Sequence, residues 1–233
     1  MELERVACLD EVYEKFPGYS IKNIEMSADC DFNFGTRYAS LKNILVNNGR
    51  DDLMCDLEKC KKRYHQVCNF SLMPATGALG IKKGARYKED RVDVFLADLE
   101  VLLNYIKNME IEDVLNELKK DYDEKNRKSR LSLLKAYGYI EENKRCLIAF
   151  LKSFDDIYDY CEKMYIINDR KYLKDFISKG IEKIVNVDDV ISYIKKVNDY
   201  WDYREKRLKE LGISSAKIEE INKQLSVIDQ QKI

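Results

Sequence analysis

The sequence predicts an α+β protein that is mostly α-helical, with a small β-sheet drawn from the N-terminal third, packed on a helical body that ends in a helical hairpin. Three observations lead there. Apolar residues recur at helical spacing through most of the 233 residues. Two short runs, near residues 29–34 and 68–73, instead alternate apolar with polar. Beyond residue 90 the alternation does not return, and the pattern is helical throughout.

Each element has a local cause. Val6, Leu9, Val12, Tyr13 and Phe16 line one face of an opening helix that Pro17 and Gly18 stop. Cys30, Phe32 and Phe34 then alternate with Asp29, Asp31 and Asn33, which predicts a strand with one apolar and one acidic face, ended by Gly35. Leu41, Ile44 and Leu45 mark a short helix closed by Asn47, Asn48 and Gly49, a left-handed C-cap signal. Asp51 or Asp52 is placed to cap the next helix, whose stripe is Leu53, Leu57, Cys60 and Tyr64.

Cys68, Phe70 and Leu72 alternate with Asn69, Ser71 and Met73 in a second strand, and Pro74 stops it because it has no N–H for a ladder. A basic, glycine-bearing loop spans 75–86. Past it, Val92, Phe95, Leu96, Leu99, Leu102, Leu103 and Ile106 form the clearest amphipathic helix of the chain. Ile111, Val114, Leu115, Leu118 and Tyr122 predict the next. The polar run 119–128 is the candidate boundary between a mixed part, 1–125, and an all-helical part, 126–233, with a solvated helix end inside one continuous domain as the alternative.

Leu131, Leu134 and Tyr137 precede Gly138. Leu147, Leu151, Phe154, Tyr158, Cys161 and Tyr165 then repeat at alternating four and three, predicting one long buried seam. Tyr172, Leu173, Phe176 and Ile177 follow, up to Gly180. Val190, Ile194, Val197, Trp201 and Leu208 lie on a heptad seam that Arg204 breaks, and Gly212 ends that helix. Ser214 or Ser215 caps a last helix carrying Ile218, Ile221, Leu225 and Ile228. The seam is the expected surface for a protein partner or for self-association; packing on its own domain is the plainer alternative.

Composition bounds the function. Apolar residues make up 45% of the chain, enough for a full core, so disorder is excluded. Charged residues nearly cancel to a net −1, so no global field draws the chain to nucleic acid or a membrane, and any anion site must be local. No apolar run approaches the roughly 18 residues of a membrane span. Seven scattered cysteines and an acidic N-terminus without a signal-peptide pattern point to a cytoplasmic protein with reduced thiols. Abundant Lys, Ile, Asn and Tyr suit an AT-rich bacterial genome.

Four constellations carry possible chemistry. Lys82, Lys83 and Arg86, with Arg91 beyond, stand just before a helix start, where amides and the dipole favour an anion. The loop is not a Walker loop, because Lys82 stands at the second glycine position. Asp29, Asp31 and Asp90 are candidates to hold Mg²⁺ beside a phosphate, against a solvated strand face; otherwise no cofactor is expected. The oxygens at 29, 31 and 33 open like a calcium loop, but Phe34 and Ser40 occupy its glycine and glutamate positions. Cys60, His65 and Cys68, with Cys55, form the one cysteine–histidine cluster, although zinc sites favour a tight CxxC knuckle, and five-residue helical steps turn Cys55 and Cys60 about 140° apart. Asp90, Arg91 and Asp93 also read as a structural ion-pair set at a helix start.

The run 69–74, the pair Ala85–Arg86, the Asp90-Arg91-x-Asp93 helix start and the aromatic block 150–160 resemble a bacterial family of unknown function. The resemblance implies no activity; it implies that Arg86, Asp90 and Arg91 lie together. Three functions are therefore carried forward. The first is a cytoplasmic interaction or accessory protein. The second is a phosphate-recognising hydrolase or transferase acting on a nucleotide or small phosphorylated substrate, and the third is a nucleic-acid-binding protein.

Overall fold

A computed structural model describes residues 26–74, 90–123, 131, 133–134, 141–178 and 183–230. The expected helix over 6–16, the polar run past 123 and the basic loop with Lys82, Lys83 and Arg86 lie outside the described residues. Strands β1 (Met26–Cys30) and β2 (Phe70–Pro74) pair as a two-stranded antiparallel sheet. The rest is helical: α1 (Phe34–Asn47), α2 (Met54–Arg63), α3 (Val92–Ile106), α4 (Ile111–Asp123), α5 (Glu141–Lys152), α6 (Ile157–Tyr165), α7 (Arg170–Ser178), α8 (Val187–Glu210) and α9 (Ser215–Gln230). Single 3₁₀ turns, Asp51–Leu53 and Val67–Asn69, lead into α2 and β2. The α+β, mostly helical architecture expected from the sequence is the one found.

The chain forms two compact units. One comprises Met1–Asp29 and Ser71–Gly180, the other Cys30–Phe70 and Ile181–Ile233. This differs from a cut at 125/126. A polar run is a local feature, whereas a compact unit is defined by contacts between distant segments, and here the chain leaves each unit and returns.

In the first unit, α3 is the central helix. All seven residues of its predicted stripe are buried, and α5, α6 and α7 pack on it. Its C-terminal carbonyls are closed by a lysine: Lys152 Nζ donates to the carbonyls of Ile106 and Lys107 at 3.1 Å each and of Met109 at 2.7 Å. The seam predicted from Leu147 to Tyr165 is not one helix. It breaks at Ser153–Asp156, where Asp156 caps α6 by accepting from the amides of Tyr158 and Asp159. Heptad spacing runs through the break because Phe150, Phe154, Tyr160 and Tyr165 still meet ring to ring, at 4.8–6.0 Å between successive centroids.

In the second unit, α8 packs against α1, α2 and the Val67–Asn69 turn. A capping box at Asn186 and Asp189 starts it. Gly49 takes the left-handed conformation predicted for the end of α1, with φ +65°. The first strand, however, stops at Cys30, and Phe34 opens α1 rather than continuing the alternation. Both Phe32 and Phe34 are fully buried, and both reach the ring of Tyr193, at 5.8 and 5.5 Å. An apolar pair two residues apart thus serves a strand-to-helix corner. Gly35 lies inside α1, where a Cβ would come within 2.9 Å of the Tyr64 hydroxyl.

Candidate functional site

The second unit is organised by polar side chains on α8. Asn69, fully buried, uses all of its carboxamide. Its Oδ1 accepts from the Phe32 amide at 3.0 Å and from Trp201 Nε1 at 2.8 Å. Its Nδ2 donates to the carbonyls of Phe32 at 3.0 Å and Tyr64 at 2.7 Å. Past the end of β1, a side chain therefore continues the pairing that the backbone begins, and it holds the corner against α8.

Arg204, which reads in sequence as a fault in the heptad seam, is the seam's buried cation, 1% exposed. It pairs with Asp31, itself fully buried, which also accepts from Tyr200 Oη at 2.8 Å. Arg204 Nη2 further donates to the Phe70 carbonyl at 2.9 Å. Burial works against its charge, but the neighbouring Tyr200 and Asp31 outweigh burial and hold its pKa above the ordinary value. Val190, Ile194, Val197, Trp201 and Leu208 are all buried with it. The seam expected to meet a partner is instead the core of its own unit.

One turn away, α8 and α2 face each other across an open groove of about 540 Å³, lined by Asp56, Lys59, Lys62 and Arg63 from α2 and Ile194, Asn198 and Asp202 from α8. Ile194, Asn198 and Asp202 are four apart and so share one helix stripe. Arg63 is held on three sides. Nη1 donates to Asn198 Oδ1 at 3.0 Å, Nη2 bonds Asp202 at 2.7 Å, and the guanidinium lies 5.4 Å from the ring centre of Trp201. Asn198 is itself fixed, donating to the Ile194 carbonyl at 3.0 Å and to Cys60 Sγ at 3.2 Å. Burial pushes the Cys60 thiol up to about 11, so at neutral pH it stays protonated and accepts that bond.

Of the sequence-predicted candidates that are described, only Cys60 touches the groove, through Asn198. Arg91 is buried and makes a bidentate pair with Asp93, Nε to Oδ1 at 3.0 Å and Nη2 to Oδ2 at 2.6 Å. This is the ion pair of the structural reading. Asp90, beside it, is buried with φ +49°, a left-handed conformation that aspartate tolerates better than most residues. Asp31, expected on an exposed acidic face, is committed to Arg204 and Tyr200 inside the second unit; Asp29 is half-buried.

Cys60 and Cys68 are buried thiols, both raised to about 11 chiefly by burial, which disfavours the thiolate that zinc or nucleophilic chemistry requires. His65 lies against the ring of Tyr64. Among the described residues, no three His, Cys, Asp or Glu side chains gather in a group that could hold a metal ion. Sequence reasoning missed the groove. Its one local signal is the basic end of α2, Lys61-Lys62-Arg63; the facing polar stripe of α8 is recognisable only once the helices are paired.

Comparison with known proteins returns no match to a family model, to a curated protein or to a solved structure.

Proposed function

We propose that the protein is a cytoplasmic interaction or accessory protein and that the groove between α2 and α8 is its binding face. The observation that carries the reading is Arg63, a guanidinium lining an open groove and held there before any ligand arrives. A prepositioned side chain with spare donors lowers the ordering cost of association. The groove's volume also falls in the range that encloses a small ligand or a few partner side chains. The cytoplasmic part of the reading is supported by Cys55, Cys60, Cys68 and Cys161, which are thiols.

The test is amide-resolved NMR of the full chain titrated with short acidic, basic and apolar peptides. At least one peptide should shift the signals of Lys59, Lys62, Arg63, Asn198 and Asp202 together. If no peptide moves them, the reading is wrong.

A further inference from the structure

We infer that the α2/α8 groove takes a carboxylate side chain from an acidic segment of a partner protein, with Arg63 as its anchor. The inference rests on the groove being the binding face and adds the chemistry of what fills it. Arg63 is 24% exposed along its side chain and has five N–H donors, of which Asn198 and Asp202 use two. Its plane is set by Trp201 below and Asn198 beside it, and Asn198 is held in turn by Ile194 and Cys60. A guanidinium fixed in this way can meet a second carboxylate without losing the first.

Charge around the groove selects the partner. Both acids already have cations: Asp56 bonds Lys59 at 2.8 Å, and Asp202 bonds Arg63. Lys62 lines the same groove, is exposed, and has no ion-pair partner among the described residues. Three cations against two acids leave one positive charge, sufficient for one incoming carboxylate. A nucleic-acid backbone presents a row of phosphates and needs several cations. Here Asp56 and Asp202 would face it as like charges, within a chain of net −1. Ile194, on the floor, and the aliphatic stems of the lysines suit the methylenes of a glutamate.

Trp201, the only tryptophan of the chain, lies under Arg63 and gives a built-in readout. The probe is a capped hexaglutamate peptide titrated into the full chain and followed by tryptophan fluorescence and by the NMR shifts above, with hexalysine, a neutral serine peptide and oligothymidylate in parallel. The expected result is saturable hexaglutamate binding with a Kd of about 1 mM or tighter, weakening as salt rises. Arg63→Met should weaken it at least about tenfold. Because Arg63 also covers Trp201, Lys62→Glu is the control that leaves packing untouched, and it should weaken binding as well. Absent hexaglutamate binding, or binding unchanged in both variants, overturns the inference. Tighter binding of oligothymidylate at these residues overturns it in favour of nucleic acid. If hexalysine or the serine peptide alone shifts the groove, the binding face stands and the carboxylate does not; if nothing shifts it, both fall.

Discussion

Arg204 and Asp31 show how much one misfit residue can reveal. A cation in an apolar helical seam must find an acid or disrupt the core, and the acid lies 173 residues away in the chain. Arg204→Met should therefore destabilise the second unit by about 3–5 kcal/mol, because Asp31 is left buried without its cation. Combining it with Asp31→Leu should cost less than the two single changes together, as read from urea unfolding followed by Trp201 fluorescence. Equal additive losses would mean that the pair does not act as a unit.

The buried thiols give a second effect at this scale. Folding raises Cys60 and Cys68 from an ordinary 9.0 to about 11. The unfolded chain then loses these protons first as pH rises. Their contribution is complete below about pH 9 and is lost as pH climbs through about 11. The comparison is made against Cys60→Ala and Cys68→Ala, whose unfolding free energies should fall less steeply over that window. Identical slopes would remove the thiols from the account.

Two helix ends, the C-terminus of α3 and the N-terminus of α6, are set by single polar side chains. Lys152→Met removes the donor for two carbonyls at the end of α3 and a third, Met109, just past it, and should cost about 1–2 kcal/mol in thermal or urea unfolding. Asp156→Ala should cost about 1 kcal/mol through the lost cap of α6. These ends are also where periodicity misleads. The spacing of Leu147 to Tyr165 suits a continuous helix as well as two helices around a corner, and the cap at Asp156 decides between them. The reverse holds for α3, whose apolar stripe is so dense that its burial is legible without any partner.

Across the whole molecule, neither unit is a continuous stretch of chain. Cys30–Phe70 and Ile181–Ile233 fold together, with α8 supplying the partners of Phe32, Phe34, Asp31 and Asn69. Ending the chain at Gly180 should strip hydrogen-exchange protection from the amides of α1 and α2, while those of α3 keep theirs. Continued protection of α1 and α2 would show that α8 is not their core.

The sequence alone determined the helix-rich class, the presence of a small sheet, the buried face of α3 and the apolar seam of α8, because these follow from the spacing of residues within single elements, whereas the bounds of the first strand did not. The tertiary structure alone decided that Arg204 belongs to the seam, that Phe34 begins a helix, that Arg91 pairs with Asp93 and that Arg63 faces Asn198 and Asp202. The physical reason is distance along the chain. A period is visible in a window of ten residues, but the partner of a buried charge is set by which helices meet, and no local pattern carries that information.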